Sequence, residues 1–462
     1  MKNTKMQMTI SDVNQYVIDL EREYRLFDQT IDGIYFWKST RFFLSRQIEI
    51  GRNTLEPPKK LCSGKPLLQR LMRFVRSFDH CYRNPRVLLY EHSRKVKHRS
   101  SYIDPYSWRV TRALENAEID VCLLENDLYY QCDLWDTRRW FLFADHVNRA
   151  RFARLDQLPR ETESLVHTLE KRILSDWEQT VDLKSIVRSA VNKFRRDYAY
   201  FSAALRNKSP EILFVVCGYG KEGIVQAAKD AGVYTVELQH GTIYPHHLGY
   251  TYPGWNKIPY FSDSLAVYAD AWLDGVSLGG IDVKVIGYES IAPVEIGDQL
   301  REKTIDILFI SQWTHSEKIL QLADDTAKRM PDRTVVCKLH PSDIFSAEIA
   351  ARYPNIKIEK DGLLCEYLRA ARYTATVFST GIFESLQYNC RPILLNMHGV
   401  QHMESFARIT GAPVLGDAEE MAAFLQKDGD GRFEYRDLQY KSWFADFDES
   451  AILDYLERRG SR

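Results

Sequence analysis

The sequence predicts an α/β protein built from two parallel-sheet domains in tandem, and three observations carry that prediction. Its 462 residues exceed what one ordinary core holds. Short, continuously apolar runs, the pattern of strands buried on both faces, alternate with amphipathic helical segments. That alternation occurs twice, once from about residue 86 and again from about residue 304.

The elements follow in order. ISDVNQYVIDLEREYRLFD has helical spacing with Ser11 as its expected N-cap, and the aromatic-rich DGIYFWKSTRFFLSRQIEI follows. Pro57 and Pro58 end this helical N-terminal extension. RVLLYEH and DVCLLEN read as strands with WRVTRALENAE between them, and residues 133–207 read as mostly helical. EILFVVCGYG is a strand, KEGIVQAAKDAG a helix ending at Gly232, and YTVELQHG the next strand. SLAVYADAWLDG and VKVIGY continue the series. The second series runs TIDILFIS, EKILQLADDTAKRM, RTVVCKLH, SAEIAARYP, IKIEKD, LLCEYLRAA, TATVFS, GIFESLQYN and RPILLN. The hinge is expected at residues 290–303, giving a first domain over 1–292 and a second over 300–440. The C-terminal helix, within 441–462, is expected to cross back to the first domain.

Composition narrows the function classes. The chain is 45% hydrophobic and 27% charged with a net charge of −1, so no global preference for nucleic acid is expected. Cysteines at 62, 81, 122, 132, 217, 337, 365 and 390 form no CxxC pair, which argues against a zinc ribbon or dithiol site. Several lie in apolar runs and read as buried free thiols of a reducing compartment. The N-terminus lacks a signal-peptide core and no apolar stretch is long enough to span a bilayer, so a cytoplasmic location is expected. Residues 59–99 hold about 12 Lys and Arg against about 2 acids, a local charge of about +10. Arg70, Arg73 and Arg76 there belong either to a solvated helix edge or to a surface attracting anionic lipid or an anionic glycan acceptor. The second reading makes the protein peripheral at the inner membrane.

Four constellations could carry chemistry. GYGKEG, Gly218–Gly223, joins a strand to a helix and matches GxGxxG in form. The acid of a dinucleotide site has no counterpart at the right distance, Glu237 being too close. Gly220 then belongs to a tight turn at the ligand edge, with Glu222 a candidate general base or simply an acid in a helix's first turn. LQHGTIYPHHLGY places Gln239, His240 and Gly241 at a strand's end, with His246 and His247 close by; His240 could accept an acceptor proton, donate to a phosphate, or orient the acceptor for Glu222 as base. Their spacing matches no familiar metal motif, and no metal is expected. KLHPSD puts Lys338, His340 and Pro341 at a strand tip, where the two basic residues could neutralise a diphosphate. TVFSTGIFES puts Ser379, Thr380 and Gly381 before a helix as a phosphate cradle or a plain cap, with Glu384 one turn on and able to accept from ribose hydroxyls.

The order of these elements resembles bacterial GT-B glycosyltransferases that use cytidine-activated donors. An HG element closes the first domain, an HP element stands midway through the second, and a Ser-Thr turn precedes a short helix and PILL. The capsule Kdo transferases and bacterial sialyltransferases use CMP-sugars; the teichoic-acid glycerophosphotransferases use CDP-glycerol. The resemblance covers residues 211–425. It implies two Rossmann-like domains facing across a cleft, with the acceptor on the first and the nucleotide-sugar donor on the second. It implies donor contacts from His340, Pro341, Ser379 and Thr380. In the sialic-acid enzymes two acids precede a glycine, one serving as base. The counterpart here is Lys221-Glu222-Gly223, with one acid replaced by lysine.

Gln-His-Gly and Phe-Ser-Thr-Gly stand closer to the capsule branch than to the teichoic one. The expected activity is therefore transfer of a CMP-linked ulosonic acid, Kdo or a sialic-like sugar, onto a capsule polysaccharide, lipopolysaccharide or other glycolipid, without cofactor or metal. CDP-polyol transfer is the runner-up. A non-catalytic glycan-binding protein is the alternative of another class.

Overall fold

The computed structural model describes residues 9–51, 75, 84–93, 95–98, 100–125, 136–141, 154–206, 208–291, 302–341, 343, 345–429 and 441–460. Most of the basic stretch 59–99, with Arg70, Arg73 and Arg76, and most of the expected hinge lie outside them. The chain divides into two compact units. Among the described residues, the first comprises Asn14–Gly51, those between Ser63 and Ile291, and those from Ala445 onward; the second comprises 9–13 and 302–444.

Two short antiparallel hairpins, β1 (Thr30–Ile31) with β2 (Ile34–Tyr35) and β4 (Val96–His98) with β5 (Ser101–Ile103), stand apart from the main sheets. The first unit is built on β3 (Val87–Tyr90), β6 (Val121–Glu125), β7 (Arg139–Phe141), β8 (Ile212–Val216), β9 (Tyr234–Leu238), β10 (Ser264–Val267) and β11 (Asp282–Val285). They form one sheet in the order β11-β10-β9-β8-β3-β6-β7, every pair parallel. Counted along the chain within the sheet, that order is the doubly wound 3-2-1-4-5-6 pattern with one strand added. Its central strands are apolar on both sides because both sides are covered. Val87, Leu89, Phe214 and Val236 pack with Leu114, Tyr455 and Leu456 on one face. Leu88, Leu213 and Val215 pack with Phe201, Leu205 and Val225 on the other. The last helix, Glu449–Gly460, lies on this unit, where Tyr455 Oη meets Ser264 Oγ at 2.9 Å and Lys284 Nζ meets Asp454 at 2.8 Å.

The second unit holds β12 (Ile305–Ile310), β13 (Val335–Lys338), β14 (Lys357–Glu359), β15 (Ala371–Thr376), β16 (Arg391–Leu395) and β17 (Val414–Leu415). Their order, β14-β13-β12-β15-β16-β17, is again 3-2-1-4-5-6 and again wholly parallel. Leu308, Ile310 and Val336 pack there with Leu368, Tyr388 and Cys390. Two parallel sheets flanked by helices are the construction a GT-B chain requires, and the fold class read from the sequence is present.

Two local readings change. The first helix begins at Ile10, and its N-cap is Thr9 rather than Ser11: Asp12 N donates to Thr9 Oγ1 at 3.2 Å and Thr9 N to Asp12 Oδ2 at 2.6 Å. Within 133–207 the expected helices are Arg160–Trp177 and Leu183–Leu205, and the strand that the reading did not single out is the edge strand β7, Arg139–Phe141, ahead of them. Arg139 and Trp140 disguise that strand in sequence. Each is buried, the arginine through ion pairs to Glu91 and Glu125.

Candidate functional site

In an open parallel sheet the ligand edge is the carboxyl end of the strands, at the point where the strand order reverses. In the first unit that point lies between β3 and β8, so it is bordered by the residues following each: Glu91 and His92 after one, the Gly218–Gly223 turn after the other. In the second it lies between β12 and β15, bordered by Ser311 and Gln312 and by Phe378, Ser379 and Thr380.

The first edge is built around the glycine turn. Cys217 adopts φ 63°, a left-handed conformation that a non-glycine residue keeps only when its surroundings enforce it. Lys221 supplies that enforcement by donating to the carbonyls of Val216 at 2.6 Å and Cys217 at 2.7 Å. Gly218 N donates to Glu237 Oε1 at 2.8 Å, and Gly220 N donates to Glu222 Oε1 at 3.0 Å. The turn's amides therefore bind the protein's own carboxylates, and the dinucleotide reading of GxGxxG loses its phosphate donors. Glycine is needed at 218 because a Cβ would stand 2.2 Å from Glu237 Oε2.

Glu222 is 4% exposed and lies 3.7 Å from the buried Lys38 ammonium. Burial works to strip the Lys38 proton, but Tyr252, Glu222 and Glu237 hold its pKa above the ordinary value. Burial raises Glu237, with Lys38 and the Gly218 amide opposing it, and burial lowers Lys221. Two acids and two ammonium groups thus balance under one turn, as a buried charge cluster must.

His240 follows β9, whose register sets Glu237 beside Val215 of β8. Its Nε2 is 3.0 Å from Tyr219 Oη and its Nδ1 is 3.4 Å from Tyr250 Oη. His92 stacks on it at 5.6 Å between ring centroids and 20° between planes, with the Tyr106 ring edge-on at 6.0 Å. Beneath His92, Glu91, Lys95, Glu125 and Arg139 form a buried ion-pair network. Asp104 accepts from His92 N at 2.6 Å and Tyr106 N at 2.9 Å, and burial lifts it to about 6.

The other first-unit candidates hold structure. Gln239 is 1% exposed; its amide donates to Gly241 O at 2.8 Å and accepts from Tyr268 N at 2.8 Å. His246 O accepts from Asn14. His247 Nδ1 accepts from Gly249 N at 3.0 Å, and burial pulls that ring down to about 4, so it is neutral at pH 7.

At the second edge the strand ends are tied together. Gln312 Oε1 accepts from Phe378 N at 2.9 Å, which links β12 to β15. Asp343 Oδ2 accepts from Ser311 Oγ at 2.7 Å and from His340 N at 3.0 Å, which links β12 to the His340–Pro341 loop. Lys360 donates to the carbonyls of His340, Pro341 and Asp343, fixing that loop from β14's end. Lys338 is 7% exposed; its ammonium donates to Lys360 O at 2.7 Å and lies over the Tyr367 ring. Burial, with the Lys360 charge nearby, lowers it to about 8.

Ser379 Oγ accepts from Gly381 N at 3.3 Å. The helix that follows, Gly381–Ser385, is too short to carry the macrodipole expected of a phosphate cradle. Gly381 is glycine for packing, since a Cβ would stand 2.7 Å from Leu364 Cδ2. Burial raises Glu384 to about 7.

The structure thus brings His340, Pro341, Ser379 and Thr380 to the ends of the two strands that flank β12, and Gly220, Glu222 and His240 to the ends of the adjacent β8 and β9. Sequence reading missed His92, Tyr219, Gln312, Asp343 and Lys360. It also missed His315, which is fully buried with Nδ1 2.9 Å from Thr314 Oγ1 and its ring edge-on to Phe378. The signal available was the strand-end position of Gln312 and His315 in ISQWTHSE. Among the described residues no group of three His, Cys, Asp or Glu side chains is arranged to hold a metal ion, and no helix is long and apolar enough to cross a membrane. The cysteines at 122, 217, 337, 365 and 390 are buried free thiols.

No protein-family model matches the chain, and no curated protein matches it. Solved structures do. The glycotransferase of kitacinnamycin matches at 12% identity over 82% of this chain and 96% of that one, with a TM-score of 0.48. The S. aureus MnaA–UDP co-structure matches at 11% over 82% and 98%, with a TM-score of 0.48. The spinosyn forosaminyltransferase SpnP matches at 12% over 82% and 100%, with a TM-score of 0.47. Likeness at this level says nothing of what this chain binds or does.

Proposed function

We propose that this chain is a glycosyltransferase that takes its sugar from a CMP-activated ulosonic acid, Kdo or a sialic-like sugar, and delivers it to a bacterial surface polysaccharide or glycolipid. One observation carries the proposal. The two elements that resemble a CMP site, His340–Pro341 and Ser379–Thr380, follow β13 and β15, the two neighbours of β12. His340 and Ser379, 39 positions apart in sequence, are thereby set at one ligand edge.

In this reading His340, Ser379 and Thr380 hold the donor phosphate, and Glu384 accepts from the ribose. Lys338 and Lys360 contribute positive field rather than direct contact, because their ammonium groups are engaged by carbonyls. His240 takes the acceptor proton. Glu222 holds the glycine turn, since its carboxylate is buried and engaged by Gly220 N. The donor is a substrate and no cofactor is required. Work at the cytoplasmic face of the inner membrane, with 59–99 touching lipid, belongs to the same proposal.

The test is a thermal-shift panel of CMP, CDP, UDP, GDP and NAD. A ligand bound only by the native state stabilises it by about 2.7 kcal/mol at 100 times its Kd. CMP should give the largest shift. A preference for CDP would favour polyol-phosphate transfer, one for UDP or NAD would overturn the cytidine reading, and glycan binding without donor turnover would make the protein a lectin.

A further inference from the structure

Three rings meet at the ligand edge of the first sheet, and one carboxylate holds two of them. His92 stacks on His240 with 5.6 Å between centroids and 20° between planes. Tyr106 stands edge-on to both, 5.3 Å from His92 and 6.0 Å from His240. His92 follows β3, whereas Tyr106 comes after the β4–β5 hairpin. Both rings are half-buried, so packing alone does not fix them. Asp104, the residue after β5, supplies the rest. Its Oδ2 accepts from His92 N at 2.6 Å and Ser107 Oγ at 3.0 Å, and its Oδ1 accepts from Tyr106 N at 2.9 Å. One side chain thereby closes the loop that carries the hairpin and sets the backbone under both rings.

The place requires an aspartate. Asp104 is 1% exposed, and a carboxyl is tolerated there because donors reach both of its oxygens. An ionised carboxylate offers two accepting oxygens and no donor. An asparagine would turn its NH2 either to the Tyr106 amide or to the His92 amide, and lose that tie. The hairpin itself is anchored beside the same network, since Arg139 donates to Tyr102 O at 3.2 Å and Lys95 pairs with Glu91 at 2.7 Å.

We propose that Asp104 is a positioning residue for the His240 base: by tying down the backbone of His92 and Tyr106, it holds the two rings that set the plane of the imidazole. The inference rests on the reading of His240 as the group that takes the acceptor proton. Asp104 acts through the two rings. Its bond to Ser107 serves a different purpose, the start of the helix Trp108–Asn116, whose first amide is accepted by Asp104 O at 3.1 Å.

The experiment uses the full chain with 13C-labelled histidine and reads the ring 13C–1H correlations. A His240→Gln spectrum identifies the His240 signals. Asp104→Ala releases both rings and should move those signals toward where the double variant His92→Ala, Tyr106→Leu puts them. Signals that stay at the wild-type position overturn the proposal. Ser107→Ala is the control, because it removes the third bond to Asp104 and leaves both ring-bearing amides tied. An equal shift from Ser107→Ala would reduce Asp104 to a helix start and overturn the proposal too. If Asp104→Ala fails to fold, Asp104→Asn decides by the same signals. CMP release from CMP-N-acetylneuraminic acid and from CMP-Kdo then separates the two readings. Full turnover in His240→Ala sinks the base assignment, whatever the spectra show of the rings. With His240 essential, Asp104→Ala should lower kcat about 10- to 100-fold, the scale of a misplaced group, at unchanged donor KM. In the His92→Ala, Tyr106→Leu background it should cost no further turnover, because residues that act through one another are not additive. Losses that multiply in that background would overturn the positioning role.

Discussion

His92 and His240, at the ends of strands that flank β8, stack ring upon ring with 5.6 Å between centroids. Stacking fixes the plane of His240. His92→Ala should therefore misplace the base without removing it. The expected loss is about 10-fold in kcat, against at least about 100-fold for His240→Ala. Equal losses would make His92 a catalytic residue in its own right, and an unaffected kcat would reduce it to packing. Both are read in steady-state donor turnover, with thermal melts as the folding control.

Donor binding gives the second prediction. His340→Ala and Ser379→Ala each remove one hydrogen bond to a charged group, about 1.5–3 kcal/mol, or roughly 10- to 150-fold in affinity. Isothermal titration with CMP reads it. Unchanged affinity in both would move the donor site away from the second sheet.

How much of this was legible beforehand is clearest at the strands. EILFVVC and TIDILFIS announce themselves because strands covered on both faces are apolar throughout. Strand order does not announce itself. Nothing in YEHSRK says that β3 pairs with β8 more than 120 residues later, so His92 had no visible tie to His240. Lys338 misled in the opposite direction. Its place at the tip of a strand suggested a phosphate ligand, but β14 brings the Lys360 carbonyl and the following helix brings Tyr367 against it. His340, Ser379 and His240 were legible because each stands one or two positions before a breaker, Pro341, Gly381 or Gly241, that stops the strand or starts the next element.

A third prediction concerns Gly218. A methyl group there cannot coexist with the Glu237 carboxylate at 2.2 Å, and Glu237 is held in place by the bond it accepts from the Gly218 amide. Gly218→Ala should cost about 1–3 kcal/mol, the usual scale of overpacking, read as a lowered denaturation midpoint. Gly241→Ala is the control, because a Cβ there meets nothing within 4 Å.

The fourth is a pH dependence. Burial raises Glu384 from 4.5 to about 7 in the folded chain, so between those values the native state holds a proton the unfolded chain has lost. Stability from this group is complete below about pH 4.5 and falls as pH rises to about 7. Glu384→Gln abolishes that loss and should stabilise the protein at pH 8 by up to roughly 2–3 kcal/mol relative to pH 4. Parallel pH–stability curves for the two proteins would show that Glu384 is not buried as a carboxylic acid.

The last prediction separates Glu222 from His240. Both stand at the ligand edge of the first sheet, and both are chemically able to take a proton. Their surroundings differ. Glu222 is 4% exposed, accepts from Gly220 N at 3.0 Å and lies 3.7 Å from Lys38, whereas His240 is half-buried with Nε2 on a half-buried tyrosine. A carboxylate held that way works on the turn, not on a substrate. Glu222→Gln keeps the shape and one acceptor oxygen, so Gly220 N retains its partner while Lys38 loses a counter-charge. The expected result is a stability loss of about 1–3 kcal/mol with kcat lowered less than about 10-fold. His240→Ala should do the reverse, leaving the melt near wild type and removing at least about 100-fold of kcat. A 100-fold loss from Glu222→Gln at unchanged stability would restore Glu222 as the base and make His240 the group that orients the acceptor.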